Sequence, residues 1–375
     1  MFEMRNYDYL KALVAKNDIA CDWVTLSVVH AYMSQKMFDD ALEQYETFHA
    51  MDSRLGDLVV VVKPDSTNPS LKDLRVPTAK GAFVQKHAAS VWPYKLVSWM
   101  LEQLLVSKNS ASPPLNLQTN TPVTRLQKTD NGSWIVHTNR GMIAAKKVLL
   151  TTNAYTSYLL PEFRDLIVPV RGEMSSLKSP RTMKPGTENP PLAYSYGFMG
   201  HDTQGGHQDD YLVQRPYTSD NRGGELMFGG GRSHATNAGV GVSDDSSIDP
   251  PAAQYLRREI NVVLDTRSDE KELEATFEWS GIMGFSRDAR PWVGAVSEDL
   301  NLGGGEGLWI CAGFTGHGMP NTCLSAKAAI QLLLGKNAED VDLPSSYRIS
   351  KSRLEKARNL KTVQVADHAN VLGNE

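Results

Sequence analysis

GLWICAGFTGHGMPNTCLSAKAAIQLLLG, residues 307–335, reads as a strand, a glycine turn and a helix in succession. Leu308 to Ala312 is a short apolar run bounded by glycine, the mark of a buried strand. Gly313, Gly316 and Gly318 then fall within six residues, so the backbone can turn sharply and lie close to a ligand. Pro320 suits a first helical turn, and Asn321 to Leu334 predicts a helix. Its Ser325, Ala326, Ala328 and Ala329 are small enough for close packing, and Gly335 is a natural stop. A bare helix start carries partial positive charge and free N–H donors, which together attract an anion. The pattern alone leaves two readings open. One is an ordinary corner of a parallel sheet, and the other is a turn that faces a ligand.

Composition narrows the class. A chain of 375 residues buries a large core and is expected to form two interleaved domains. Apolar residues at 41% and charged residues at 22% are ordinary for a globular protein. A net charge of −4 argues against a generic nucleic-acid surface, so no nucleic-acid partner is expected. Cys21, Cys311 and Cys323 are odd in number and far apart, which suggests neither a disulfide framework nor a zinc cluster. No apolar run reaches the roughly 18 residues of a membrane span. The opening MFEMRNYDYL is not a signal peptide, and Gly373-Asn374-Glu375 is not a peroxisomal address. A cytoplasmic location is the expectation.

Working outward, periodicity predicts helices over Glu3–Lys16, Lys36–Met51, Pro93–Ser107 and Pro250–Leu264. Thr25–Ala31 and Leu58–Val62 read as extended, and Pro64–Pro77 as loop. Gly81 to Trp92 reads as a loop that enters the helix at Pro93. Leu115–Leu126, Trp134–Thr138 and Met142–Leu150 read as three strands, with hairpin turns at Asp130-Asn131-Gly132 and Asn139-Arg140-Gly141. From Leu166 the texture changes to strands alternating with polar loops. Ile167–Glu173, Asp210–Pro216, Glu225–Arg232 and Leu273–Trp279 are its strands. Gly229-Gly230-Gly231 follows a strand but precedes no helical pattern, so a sheet edge or bulge is expected there rather than a phosphate cradle. The tail after Gly335 is charged and partly helical.

Three strings carry a resemblance. Gly313-Phe314-Thr315-Gly316-His317-Gly318-Met319 resembles the C-terminal flavin motif of the FAD-dependent oxidoreductases of the D-amino-acid oxidase superfamily. Gly81-Ala82 with Ala88-Ala89-Ser90-Val91-Trp92-Pro93-Tyr94-Lys95-Leu96 resembles a segment lining that family's flavin–substrate boundary. Trp279 to Gly294 resembles its "W-x-G-x-x-G-x-(S/T)-x-D-x-x-P-x-V-G" segment. The resemblance runs from about Phe2 to Gly335.

The resemblance implies a mixed α/β (α+β) fold. It joins a p-hydroxybenzoate-hydroxylase-like FAD domain to an interleaved antiparallel-sheet substrate domain. In that division residues 1–24 are a helical piece of the FAD domain and 25–80 a first part of the substrate domain. Residues 81–165 carry the meander and the Thr151-Thr152-Asn153-Ala154 strand end. Residues 166–278 return to the substrate domain, 279–345 complete the FAD domain, and 346–375 form a polar tail. The implied cofactor is FAD, contacted by Val123, by Thr152, Asn153 and Ala154, and by Gly313 through Met319. It would be non-covalent, because sarcosine-oxidase-type members use a cysteine where Trp279-Ser280-Gly281-Ile282 stands here. Family members begin with a βαβ unit bearing G-x-G-x-x-G, and no glycine pair in this chain supplies that pattern. The reading is of an N-terminally truncated member, with the missing strand between those ending near Thr152 and Ala312.

The implied reaction is hydride transfer from an amine or amino-acid C–H to FAD, with O2 reoxidising the flavin to give H2O2. A secondary or conjugated amine is the expected substrate, because the Trp-Pro-x-Lys and Gly-His-Gly-Met strings most resemble the γ-glutamylputrescine-oxidase-like branch. A second hypothesis is a non-catalytic remnant or a partner-dependent subunit. His317 is assigned to positioning the ring or tuning its charge. Arg171, Arg215, Arg232, Arg287 and Arg290 can each hold a substrate carboxylate by a forked pair, with Arg171 and Arg215 leading. Trp92, Lys95 and Arg290 are substrate-lining candidates. No metal site is expected; His201, His207, Asp209 and Asp210 read as a polar surface loop.

Overall fold

The computed structural model describes residues 1–106, 115–202, 204–220 and 222–360. Helix α1 (Phe2–Asn17) leads into strand β1 (Val24–Tyr32). Helix α2 (Gln35–Met51) and the single turn α3 (Ser53–Gly56) precede β2 (Val59–Val62) and β3 (Gly81–Ser90). Helix α4 (Pro93–Val106) is followed by a meander of β4 (Val123–Lys128), β5 (Trp134–Thr138) and β6 (Gly141–Ala145). Then come β7 (Val148–Leu150), the short α5 (Thr156–Leu159) and β8 (Ile167–Leu177). Strands β9 (Tyr194–His201), β10 (His207–Gln214) and β11 (Leu226–Gly230) precede α6 (Pro250–Val263) and β12 (Ala275–Ser286). Strands β13 (Trp292–Ala295) and β14 (Leu308–Ala312) and helices α7 (Thr322–Leu333) and α8 (Lys351–Asn359) complete the chain.

Eight strands form one sheet in the order β12-β8-β11-β10-β9-β1-β3-β2. The pairing is antiparallel except that β1 runs parallel to β9, so the sheet is mixed rather than purely antiparallel as expected. One face is dry. Tyr196 and Phe198 of β9, Leu212 of β10 and Phe228 of β11 pack against Leu256 and Ile260 of α6. The alternate residues on these strands face the other way and are only half buried. Gly81–Ser90 is a strand of this sheet, not a loop, and β12 reaches Ser286. Residues 81–90 and 279–286, which the expected division gives to the FAD domain, therefore belong to this sheet.

The second sheet has the order β13-β14-β7, and the meander forms a third, β4-β5-β6. Met142–Leu150 is thus two strands in two sheets, because the chain leaves the meander after Ala145 to run beside β14. Strands β7 and β14 are direct parallel neighbours, with Leu308 opposite Val148 and Ile310 opposite Leu150. This corrects the expectation of a missing strand between them. Residues 361–375 of the expected tail lie outside the described residues, but 346–360 are not merely polar surface. Arg353 of α8 is buried and grips Asp288 through two bonds of 2.8 and 2.9 Å.

Candidate functional site

Parallel strands deliver whatever follows them to the same end of a sheet, and crevices at such carboxyl ends are where α/β sheets bind ligands. Here β7 delivers the turn at Thr152–Ala154, and β14 delivers the turn at Gly313–Met319. Asn153 joins them. Its Oδ1 accepts the Gly313 N–H at 2.9 Å and the Phe314 N–H at 3.3 Å. Thr315 then donates its N–H to Gly284 O at 2.7 Å, and its Oγ1 accepts from Ser286 N at 3.0 Å. Gly284 has no room for a side chain, since a Cβ there would come within 2.7 Å of Asn153 Oδ1. Thr152 hydrogen-bonds Thr156 at 2.9 Å, and Ala154 is buried. The Thr-Asn-Ala turn is therefore a brace for the glycine turn. Val123 opens β4, and β4 lies against α5, so the candidate adenine contact sits beside the same turn.

The start of α7 is not bare, contrary to the sequence expectation. Asn6 of α1 is fully buried, accepts the Leu324 N–H at 2.9 Å and donates to Met319 O at 3.2 Å. The helix begins at Thr322, with Asn321 as its cap position, so Pro320 precedes it. What stays open is the tip of the turn. Gly316, His317 and Met319 are exposed, and among the described residues the N–H groups of Gly316 and Gly318 meet no acceptor. Glu3 holds His317 from above, Oε1 to Nε2 at 3.0 Å, and also accepts from Asn321 Nδ2 at 3.1 Å. That hydrogen bond raises the His317 pKa above its usual value and lowers that of Glu3. An imidazole whose charged form Glu3 favours, and two free N–H groups, suit the electron-rich edge of a ring that gains negative charge.

The turn looks onto the half-open face of the large sheet. Met283 and Phe285 of β12 lie beneath Gly316, where an added Cβ would stand 3.5 Å from Met283 Sδ. One register row crosses six strands on this face: His30, Gly197, Tyr211, Gly229, Met174 and Trp279. Gly197 leaves space beside His30, whose Cδ2 would be 3.1 Å from an added Cβ. Gly229 has no room for a Cβ against Met174 and Tyr211, so its absence lets Tyr211 OH reach Met174 Sδ at 2.7 Å. Tyr211 is 50% and Trp279 39% exposed, so both rings face open space. Burial, and secondarily the charge on nearby His317, lower the His30 pKa.

Sequence reasoning did not find this row. The available signal was a glycine inside two strands, Gly197 and Gly229, each opposite bulky partners, with Gly172 and Gly281 facing each other on the same face.

The other candidates divide. Trp92, Lys95 and Arg215 come together, with the Lys95 Nζ 4.6 Å and the Arg215 guanidinium 4.7 Å from the Trp92 ring centroid. Lys95 pairs with Asp22 and Arg215 with Glu225. Arg171 does not join them. It lies on the α6 side of β8 with Glu173 at 3.2 Å and Asp249 at 3.5 Å, because odd and even residues of a strand face opposite ways. Arg290 is exposed on the turn before β13, away from this cluster. Arg232 pairs with Asp209 at 2.8 Å over the Phe285 ring, and Arg287 donates to Asp165 O and Leu360 O.

The residues read as a polar loop stand in strands instead, His201 at the end of β9 and His207, Asp209 and Asp210 in β10, and of the four Asp210 is buried in a hydrogen-bond network. Asp210 Oδ1 accepts the Gly231 N–H at 2.8 Å, and its Oδ2 accepts from Tyr255 OH at 2.6 Å. Gly230 has no room for a Cβ against Asp210, which explains the glycine run there as a close approach. Among the described residues no group of His, Cys, Asp and Glu could hold a metal. None of their helices is long and apolar enough to cross a membrane.

A family model described as FAD dependent oxidoreductase (DAO) matches residues 2–332. Glycine oxidase from Geobacillus kaustophilus superposes with a TM-score of 0.68 at 17% identity, covering 92% of this chain and 81% of that one. L-proline dehydrogenase from P. horikoshii gives 0.65 at 16% identity over 95% and 83%. A thermally stable mutant of fructosyl peptide oxidase gives 0.66 at 13% over 92% and 77%. At these identities the likeness is one of fold. No curated protein sequence matches the chain.

Proposed function

The chain belongs to the DAO family of FAD dependent oxidoreductases, and from that premise we propose that it oxidises the C–N bond of a small amine or amino acid, with O2 as acceptor. FAD is the family's cofactor, and its binding here is non-covalent. The donor set fits the ring end of a flavin, since Gly316 and Gly318 keep free N–H groups at an exposed turn. FAD, when bound, supplies a two-electron acceptor for a substrate hydride and a path for those electrons to O2.

The chain's residues do the rest. Gly316 and Gly318 N–H groups and the His317 imidazole, whose charged form Glu3 favours, would lower the cost of negative charge at the ring edge. Asn153 and Thr315 fix that turn to β12, so the donors are set before substrate arrives. His30, with its lowered pKa, is neutral near pH 7 and able to hold a substrate N–H. The substrate loses a hydride from carbon and a proton from nitrogen. The imine takes up water and splits into a carbonyl compound and an amine, while O2 gains two electrons and two protons as H2O2. A secondary or conjugated amine and a cytosolic location belong to this proposal.

The observation that carries it is the open, braced glycine turn above a half-open sheet face. A peroxidase-coupled assay with carbonyl product analysis tests it. H2O2 and carbonyl formed in equal amounts from an amine support the reading; neither forming from any amine or amino acid in a panel opposes it.

One observation favours a second reading, in which FAD is held only when another unit completes the site. Strand β7 is an edge strand. Among the described residues α7 is the only helix of more than one turn that starts at these strand ends, since α5 after β7 has four residues, so the pyrophosphate has no second long helix start. An FAD affinity too weak to survive gel filtration, restored by adding a G-x-G-x-x-G unit in trans, would favour that reading.

A further inference from the structure

Resting on the oxidase reading, we infer that the C-terminal segment 345–359 is a clasp that positions the flavin-facing turn, with Arg353 and Tyr347 as its positioning residues. The segment lies beyond residue 332, where the family match ends.

The first arm starts at Arg353 of α8. Its buried guanidinium has five N–H donors, and every one meets an acceptor at 2.8–2.9 Å: Asp288 twice, and the Arg290, Pro291 and Tyr347 carbonyls. Burial pushes the Asp288 carboxyl up, yet the Arg353 hydrogen bonds and charge, with the Ser286 hydroxyl, bring it below its usual value. As an ion it only accepts, so Ser286 Oγ donates to it at 2.9 Å and itself accepts from Trp292 Nε1 at 2.9 Å. The backbone N–H of the same Ser286 meets Thr315 Oγ1 at 3.0 Å. Thr315 stands at φ 54°, a left-handed conformation that a β-branched residue keeps only when its surroundings hold it. The next residue is Gly316, with the first of the two free N–H groups.

The second arm is Tyr347. Its OH donates to Asn321 Oδ1 at 2.9 Å, and Asn321 Nδ2 in turn donates to His317 O and to Glu3 Oε1, each at 3.1 Å. Thr315 and Asn321 bracket the exposed tip, so one segment holds both of its ends. Packing does not account for these bonds, because Leu354 and Ala357 already dock α8 on the core around Trp292. A buried ion pair recovers little more than its desolvation costs, so it is a poor source of stability and a good means of fixing geometry. What it fixes here is the placement of N–H donors at a ring edge, where an error of about 1 Å can cost on the order of 10²-fold.

Three variants test the clasp. Arg353→Met with Asp288→Asn removes both charges together and leaves neither unpaired, and Tyr347→Phe removes one hydroxyl. Leu256→Ala, in α6 on the other face of the large sheet, is a destabilised control. Two measurements are made on the full chain: residue-resolved amide hydrogen exchange without FAD, and the reduction potential of bound FAD. The double variant should speed exchange of the Thr315 N–H, and Tyr347→Phe that of the Asn321 N–H, each at least ~10-fold with the β9–β10 amides unchanged. Both should hold reduced flavin ~10-fold less tightly relative to oxidised flavin, a fall in potential of about 30 mV. Leu256→Ala should speed exchange throughout and leave the potential in place. If the double variant does not fold, Tyr347→Phe decides on both readouts. Unchanged exchange at the turn, a uniform rise across the chain, or a potential that falls in neither variant overturns the clasp. A chain that takes up no FAD strikes the oxidase reading and leaves the exchange result to decide.

Discussion

Glu3 and His317 stand 314 positions apart in sequence, yet Oε1 of one lies 3.0 Å from Nε2 of the other. The first turn of α1 thereby holds the tip of the glycine turn that follows β14. Both side chains are about half exposed, so the pair contributes no more than ~0.2–1 kcal/mol. Its larger effect is on the charge at the turn.

Glu3→Gln should therefore lower the pKa of His317. The raised histidine gives stability that is full below its ordinary value and is lost as pH rises through the higher folded value. The lowered glutamate gives stability present above its ordinary value and lost as pH falls through the lower one. The pair thus acts between roughly pH 4.5 and somewhat above 6.5, the two unshifted values. Proton NMR of the His317 ring follows the midpoint directly. A midpoint that stays put in the variant would show that Glu3 does not set the charge.

Asn153→Ala should destabilise the protein by about 1–3 kcal/mol, because the buried Gly313 and Phe314 N–H groups lose their acceptor. Asn153→Asp keeps an acceptor oxygen and should cost less. Urea melts of the two variants check the order; equal losses would mean that the brace does not depend on this oxygen.

Gly316 and Gly335 both have left-handed backbones, with φ of 67° and 89°. Valine at either should cost a similar amount, roughly 1–2 kcal/mol of backbone strain. Only Gly316→Val should also reduce FAD retention, since only that glycine lies at the open turn. Parallel loss of flavin in both variants would point to general destabilisation instead.

Asp210 is fully buried, and burial pushes its carboxyl up to about 6 despite three hydrogen bonds that oppose the shift. A raised folded value means that its contribution is full below the unfolded value of 3.8 and falls away as pH rises through about 6. Asp210→Asn cannot ionise. Its stability relative to the parent should thus improve by about 1–3 kcal/mol as pH rises across that window. Melting curves at several pH values test this; a constant difference would place the titration elsewhere.

The strand–turn–helix of 307–335 was legible because glycine, proline and small residues mark local geometry on their own. Helices α1, α2, α4 and α6 were legible for the same reason, through apolar spacing. Strands β3 and β9 were not. Gly81–Ser90 and Tyr194–His201 carry glycine, serine and histidine where an ordinary strand carries apolar residues, because one of their faces lines an open space. The row from His30 to Trp279 was hidden for that same cause: its six residues come from six strands and meet only through register. Arg171 looked like a substrate contact because it lies in the right strand, and a one-residue parity decides that it faces α6 instead. The cap that Asn6 places on α7 joins residues 318 positions apart, and nothing local to either end announces it.

The most direct measurement is anaerobic addition of a secondary amine to the FAD-loaded chain while the flavin band near ~450 nm is watched. Loss of the band, its return on admitting air, and release of free FAD on heating are the expected result. A flavin band indifferent to every amine and amino acid tried, in a chain that holds FAD stoichiometrically, would contradict the oxidoreductase chemistry assigned to the turn at Gly313–Met319.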